Sequence, residues 1–442
     1  MIRAACAVCL CLVFSSIVMS QEKSSIATIE LSGTAETELA VETHHGYNQK
    51  AEIILQPQWR ASFRDGSSLT AILRLRADAQ DTLEPGEPDD NARSPLSRRY
   101  FVGDHAETEL RELFVDLQWD NLYWRLGKQQ IVWGQADGLK VLDVVNPQSF
   151  REFILDEFDD SRIPLWSVNL EIPIGDSSQL QWVWIPDTTY HDLPERDATF
   201  AFRSSRLIPQ APEGVAVTLK DANRPGNPWS DADGGLRFSS FYRGWDISLN
   251  YLYHYRDEAV LYRRVTPSGV FIEPEYERSH LLGGTLSNAF GNVTLRSEFG
   301  YSSDIYLVSQ DAADTDGIEQ AAEFSYVFGL DYSGIDNTLL SAQFFQSLLQ
   351  DEVQGVSRAP NEESLTFLAE RSFLNETWKA KVQLIHSVDE KDGLVRPHLR
   401  YDYSSDIRLW VGADIFYGEA DGLYGQFDKR DRIYVGAQWG FD

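Results

Sequence analysis

From Ile26 to the C-terminus the chain falls almost throughout into segments that alternate bulky apolar with polar residues at a period of two, the signature of a strand with two unlike faces. Leu113, Val115, Leu117 and Trp119 share one face, opposite Glu112, Asp116 and Gln118. Asp120-Asn121 then turns the chain, and Leu122, Trp124 and Leu126 resume the apolar row opposite Tyr123, Arg125 and Gln129. The same alternation recurs at Trp166–Ile172, Trp245–Tyr253, Phe324–Tyr332, Trp378–Leu384 and Ile433–Phe441.

Connections come in two alternating lengths. Short turns are predicted near 64–68, 120–121, 175–178, 243–244, 288–292, 333–337, 374–376 and 404–406. Between them lie longer polar links at 79–107, 134–163, 186–233, 256–277, 302–320, 350–363, 387–393 and 418–429. Tight turns at one end and larger loops at the other are the plan of a transmembrane antiparallel β-barrel. The pattern predicts an all-β fold of about 18 strands, or 16 if the weakly patterned segments near 28–41 and 279–288 are not strands. A soluble β-sandwich or propeller is the competing reading. Aromatics near strand ends, such as Trp119, Tyr123, Trp245 and Tyr253, match membrane girdles better. No blade-length repeat is present.

The N-terminus bears on which solvent surrounds those strands. A basic start at Arg3 and an apolar run from Ala4 to Met19, with Val18 and Ser20 before a cut, read as a secretory signal peptide over residues 1–20. Residues 21–442 then form a single barrel domain in the outer membrane. Cys6, Cys9 and Cys11 all lie in the leader, so the exported part carries no disulfide. With 68 Asp and Glu against 39 Lys and Arg, a nucleic-acid partner is excluded. The final row from Ile433 to Phe441 resembles the C-terminal signal read by barrel-assembly machinery, with Asp442 trailing where a terminal Phe is usual.

The link at 134–163 carries the candidate chemistry. A helical turn is predicted over Gln148–Phe158, with Phe150, Phe153, Ile154 and Phe158 on one face. A loop with its own apolar face needs a surface to pack on, so it is expected to fold inward against the barrel wall. Its charged residues, Asp137, Lys140, Asp143, Asp156, Glu157, Asp159, Asp160 and Arg162, would form a pore constriction. Opposite them stand strand cations that must face the lumen, because the lipid side would cost about 2–4 kcal/mol each at mid-plane. These are Arg74, Arg76, Arg111, Arg125, Arg237, Arg296, Lys379, Lys381, Arg396, Arg400 and Arg408. Acids facing a basic wall set a transverse field that filters solutes by charge. The plainer role for the same pairs is to rigidify the barrel.

Gly127-Lys128-Gln129-Gln130-Ile131-Val132-Trp133-Gly134, followed by Val144-Val145-Asn146-Pro147 and by the strand start at Arg162–Trp166, resembles the signature of a family. It is a poorly characterised family of Gram-negative outer-membrane proteins, long classed as a domain of unknown function. The resemblance implies a porin-like barrel and supplies no catalytic residues. Some members are encoded near exporters of lipid or hydrophobic compounds, which implies an alternative role as the outer-membrane partner of an export or envelope-maintenance system.

Other chemistry is weakly signalled. His386 and Ser387 are neighbours on a strand, so their side chains point to opposite faces and cannot act as base and nucleophile. His44, His45, His105 and His191 read as loop histidines. Asp311, Asp314, Asp316 and Gly317 resemble half a calcium loop with the wrong first spacing, and no metal or cofactor is expected. The expected protein is a non-enzymatic, passive channel for small solutes, with outer-membrane lipid and lipopolysaccharide as its surroundings. The link at 186–233 fits a plug, a lid or a surface feature equally.

Overall fold

The computed structural model describes residues 27–442 except 89, 137, 209–215, 268, 312, 313, 354 and 357. The expected leader at 1–20 and Asp137 therefore lie outside the described residues. One sheet contains every barrel strand, and apart from the two-residue piece Tyr100–Phe101 it has eighteen. They are β1 (Ala27–Glu42), β2 (Asn48–Phe63), β3 (Ser68–Asp78), β4 (Ala106–Trp119), β5 (Leu122–Gln129) and β6 (Leu165–Ile174). Then come β7 (Ser178–Ile185), β8 (Asp233–Tyr242), β9 (Trp245–Tyr255), β10 (Arg278–Phe290), β11 (Val293–Val308) and β12 (Ile318–Ile335). The last six are β13 (Thr338–Leu349), β14 (Asn361–Phe373), β15 (Trp378–Ser387), β16 (Gly393–Asp402), β17 (Ile407–Tyr417) and β18 (Arg432–Phe441).

Each strand pairs antiparallel with its neighbours in sequence, and β1 closes on β18 from Gly33 opposite Phe441 to Glu42 opposite Arg432. The eighteen-strand count holds, and both weakly patterned segments are full strands. The β1–β2 connection at Thr43–Tyr47 is a loop-end link that the length pattern had passed over, because it is only five residues long. Both strand ends of the closing pair, at Ala27 and Phe441, lie at the short-turn end.

The burial pattern is inverted relative to a soluble protein. In β9, Leu249 is 55% exposed while Ser248 and Asn250 are 1% and 2% exposed. In β18, Ile433, Val435 and Trp439 are exposed around a buried Tyr434. An apolar exterior over a polar interior is stable only when the exterior faces hydrocarbon. No helix among the described residues is long and apolar enough to cross a membrane. A wall of this many strands is too wide for its own side chains to fill. Loops supply the filling.

Outside the barrel, the links 186–232 and 256–277 build a small three-stranded sheet in which Val217–Leu219 pairs parallel with Gly269–Glu275. The link 186–232 therefore contributes a strand to this second sheet and, earlier in the chain at Phe200, part of the lumen filling described below.

The inverted pattern makes a direct prediction. Leu249→Arg should destabilise the barrel by about 2–4 kcal/mol in urea titrations in lipid vesicles. A loss below about 0.5 kcal/mol, normal for a water-exposed surface site, would contradict a lipid-facing row.

Candidate functional site: a loop clamped across the lumen

The link between β5 and β6, residues 130–164, enters the barrel and touches the wall at four places. Its base is a buckle. Gly127 has φ +132, and a Cβ there would lie 2.1 Å from the Leu113 carbonyl, so no other residue fits. Lys128, 1% exposed, donates from Nζ to the Leu110 carbonyl at 2.8 Å. Gln129 donates from Nε2 to the Arg125 and Ser167 carbonyls. Asn146 ties both legs of the loop, accepting from the Ile131 amide at 2.7 Å and donating to the Ile163 carbonyl at 2.8 Å. The signature residues of the sequence are thus mostly parts of one fastening.

Next the loop is seated on glycines. Trp133 is fully buried, donates from Nε1 to Gln181 at 2.8 Å, and lies where a Cβ on Gly235 would be, 2.6 Å away. Leu142 fills the equivalent space at Gly283, 2.4 Å from a Cβ position. These two side chains join Ile131, Val145, Val183, Ile185, Leu252 and Leu281 in an apolar cluster on the β6–β10 wall. Glu298 of β11 accepts the Gln135 and Ala136 amides, and Arg296 donates to the Gln135 carbonyl at 2.8 Å while pairing with Asp331.

From there the chain crosses to the far wall. At Gly138 (φ +94) the Cβ position is 3.3 Å from Gln383 and 3.5 Å from Ile385 and Thr366, on β14 and β15. Two cavities lie along that wall, one on each side of the crossing. The cavity at the turn end holds about 150 Å³ and is lined by Lys379, Lys381, Gln383, Arg396, Arg400 and Glu157 among others. The one at the loop end holds about 310 Å³, with Arg206, Glu323, Arg358, Glu362 and Glu390 around an apolar floor that includes Leu139 and Val141.

The third contact is electrostatic. Glu152, 1% exposed, receives Lys50 Nζ at 2.6 Å and Arg432 at 2.6 Å. Arg151 beside it reaches Glu52 at 2.7 Å and Glu84 at 2.9 Å. Arg432 also holds Asp414 at 2.7 Å, and Arg396 bridges Asp414 to the Leu155 carbonyl. Around this latch Phe153, Leu155, Phe200, Tyr424 and Phe427 form a second apolar cluster with Ile385, Leu394 and Phe416 of the wall. Leu83 of the link 79–105 joins the same cluster, so four separate links meet in the mouth of the barrel.

The fourth contact is a short helix, Phe158–Ser161. Here the helical turn expected over Gln148–Phe158 is corrected. Residues 151–154 are turns, and Phe153 at φ +56 breaks any continuous helix so that its ring can enter the second apolar cluster. The helix that does form begins where the expected one ended.

The charged residues expected in the constriction sort as follows. Asp160 pairs with Arg74 at 2.8 Å, and Arg111 donates to the Asp159 and Asp160 carbonyls. Asp143 is buried against Arg162 at 2.9 Å and Lys140 at 3.2 Å, so these three fold the loop on itself. Asp159 joins Arg162 but is otherwise exposed. Glu157 is exposed and stands 3.7 Å from Lys381. Asp156 sits beside the latch, and burial with the nearby Glu152 pushes it up to about 6. On the wall, Arg76 pairs with Glu52 and Glu107, and Arg237 donates to the Val132 carbonyl. Arg125 pairs with Asp116 over the Phe114 ring, away from the loop. Lys379 pairs with Glu370, while Arg400 and Arg408 share Asp402. Much of the wall charge thus grips the loop, several times by its carbonyls rather than its carboxylates.

Lys50, Glu52, Arg151, Glu152, Glu298, Asp414 and Arg432 were missing from the expected set. Most were findable. The rule that puts wall arginines inside applies equally to Lys50 between Gln49 and Ala51, and to Arg432 beside the outward Ile433. The other chemical candidates have local roles. His386 Nδ1 is 2.9 Å from Tyr417 Oη and 3.1 Å from the Asp392 carbonyl, and Asp314 accepts the Asp316 and Gly317 amides in a turn. His105 contacts the Asp78 carbonyl, and His191 accepts the Gln148 amide at 2.9 Å.

A closed eighteen-strand antiparallel wall with an apolar exterior and an inward-folded loop defines an outer-membrane-type, porin-like β-barrel. The chain belongs to the family described as "Protein of unknown function (DUF1302)", whose model matches residues 70–441. Among solved structures it is similar to OccAB1 of Acinetobacter baumannii, at 9% identity and a TM-score of 0.52 over 94% of this chain and 96% of that one. It is also similar to OccAB3 of the same organism, at 10% identity and 0.51 over 94% and 99%. OmpT of Vibrio cholerae aligns at 10% identity and 0.45 over 95% and 99%. At such identities the likeness is one of fold. No curated protein matches the sequence.

Two predictions follow from the latch. Glu152→Ala strands the Lys50, Arg151 and Arg432 charges and should cost about 3–5 kcal/mol in urea unfolding; a cost under 1 kcal/mol would show that the latch is hydrated and weak. Asp156 gives a pH signature. Its docked carboxyl binds a proton near pH 6, whereas a released one, at an ordinary 3.8, does not until lower pH. Stability from this group therefore rises as pH falls from above 6 toward 4, and is lost as pH rises through that window. The difference between wild type and Asp156→Asn should change across pH 4–7; a constant difference would contradict the assignment.

Proposed function

We propose that this protein is a passive outer-membrane channel for small polar solutes, constricted where residues 138–141 cross to the β14–β15 wall. The observation that carries this reading is the pair of cavities, about 310 and about 150 Å³, on opposite sides of that crossing along one wall. Their linings are charged and hydroxylated, as a path for hydrated solutes requires. A fixed loop sets a size limit, and the charges beside it add selection by charge. Residues 1–20 direct export, the final strand engages barrel-assembly machinery, and the exposed apolar rows meet lipid and lipopolysaccharide. The termini at the short-turn end then lie in the periplasm.

A second reading has one observation in its favour. The cluster of Phe153, Phe200, Tyr424 and Phe427 closes part of the loop-end mouth with apolar side chains. A plugged mouth suits a barrel that works as the partner of an export or envelope-maintenance system for lipid or hydrophobic compounds.

Liposome swelling separates the two. Vesicles carrying the refolded protein should admit small sugars and exclude larger ones. Replacing Ala136–Val141 with a shorter glycine–serine link should raise the size limit. Vesicles impermeable with both proteins would refute the channel and favour the export partner.

A further inference from the structure

We propose that the turn-end cavity is a binding site for a small oxyanion, a carboxylate or a phosphate, in which Glu157 is the resident counter-charge that the solute displaces. This deepens the channel reading and rests on it for its physiological meaning.

The wall here is built against ordinary strand economics. In the β15–β16 register Lys379 stands opposite Arg400, Lys381 opposite His398, and Gln383 opposite Arg396. Their strand neighbours Trp378, Ala380 and Val382 pair with Tyr401, Leu399 and Pro397 on the other face, so the basic row faces the lumen. Like charges directly opposite each other are destabilising, and nothing in the packing of the barrel requires Lys379 and Arg400 to be paired. Four cations, Lys379, Lys381, Arg396 and Arg400, line the cavity against the two carboxylates of Glu157 and Glu370.

Structural pairing accounts for most of these groups but leaves a remainder. Lys379 holds Glu370 at 2.9 Å, Arg396 holds Asp414 at 2.8 Å, and Arg400 holds Asp402 at 3.0 Å. Lys381 has a single ion-pair partner among the described residues, Glu157 at 3.7 Å. That is beyond hydrogen-bonding distance, and the Glu157 side chain is 76% exposed. Arg400 leaves its buried Nε without a hydrogen-bond partner among the described residues. A loosely held carboxylate, an underused lysine and an unsatisfied guanidinium N–H around one cavity describe a site whose own carboxylate is a poor substitute for a ligand. An oxyanion with two or more acceptor oxygens could take Lys381 Nζ and the cavity-lining guanidinium of Arg400 with charge-assisted hydrogen bonds. Low-dielectric walls would concentrate the field of the loosely paired Lys381 on it. Glu157 also lies on the constricting loop, so the site is filled and emptied next to the narrowest part of the path.

The test uses the refolded full chain in two assays. Calorimetric titration of the detergent-solubilised barrel with inorganic phosphate, and separately with succinate, should show one saturable site. Binding should weaken about two- to fivefold in Lys381→Gln and again in Arg400→Gln, and tighten by a similar factor in Glu157→Gln. Lys381→Arg should restore it. In planar bilayers under a salt gradient, wild type should prefer anions, and Lys381→Gln should lower that preference. A barrel that conducts but neither binds these anions nor changes selectivity in the variants overturns the proposal and leaves the channel standing. Saturable, Lys381-dependent binding without conductance upholds the site and sinks the channel. Failure of both refutes both.

Discussion

Glu152 carries a charge into a place with almost no water, and it is tolerable there only because Lys50 and Arg432 meet it from the wall and Arg151 flanks it. A buried carboxylate without such partners would cost several kcal/mol or take up a proton. The rest of the interior depends on this arrangement. It joins β2 and β3, through Lys50, Glu52 and Arg76, to β17 and β18, through Asp414 and Arg432, across the seam where the barrel closes. The loop is the only way to bring Arg151 and Glu152 there, so closure of the wall and docking of the loop are coupled.

The barrel needs such a device because its two surfaces have opposite requirements. The outside must be apolar along every strand to face lipid, which forces polar and charged residues inward. Inside, many of those charges pair along the wall, as Arg76 does with Glu107 and Lys379 with Glu370, but the strands hold them at fixed spacings and the pairing is incomplete. The loop supplies carbonyls, carboxylates and counter-cations at the places where the wall leaves donors or acceptors unmatched. Apolar loop residues then seat on wall glycines, Trp133 at Gly235 and Leu142 at Gly283, where a side chain on the wall would leave no room. The two larger cavities lie along β12–β16, where the second apolar cluster reaches the wall only at Ile385 and Leu394.

Much of the architecture was legible in the sequence, for a physical reason. A period-two apolar row on every strand is demanded by lipid, and it appears in one dimension because each residue's face is set by parity alone. The inward course of 134–163 was legible too, from Phe150, Phe153 and Ile154, since an apolar loop face requires a surface. Its conformation was not. The helical spacing of those residues was real, but Phe153 adopts a left-handed backbone to reach Phe427, 4.8 Å between ring centres. That choice is made by partners more than 200 positions away, and local periodicity carries no trace of it. Similarly, the acids at 156–160 caught attention as a cluster, while Glu152 passed unnoticed because a lone acid beside a lone arginine looks like any solvated pair. The glycines of β8 and β10 carry no signal in the apolar–polar alternation, although their missing side chains are what admits the loop.

Single-channel conductance tests the central claim, that a loop clamped by Arg151 and Glu152 sets the width of the path. It should be recorded in planar bilayers for wild type beside an Arg151→Ala, Glu152→Ala double variant that still folds as a heat-resistant barrel. Small, steady steps in wild type, replaced by larger and noisier ones in the variant, are the expected result. Steps of equal size and steadiness in both would contradict the account, because the clamp would then have no hold on the path.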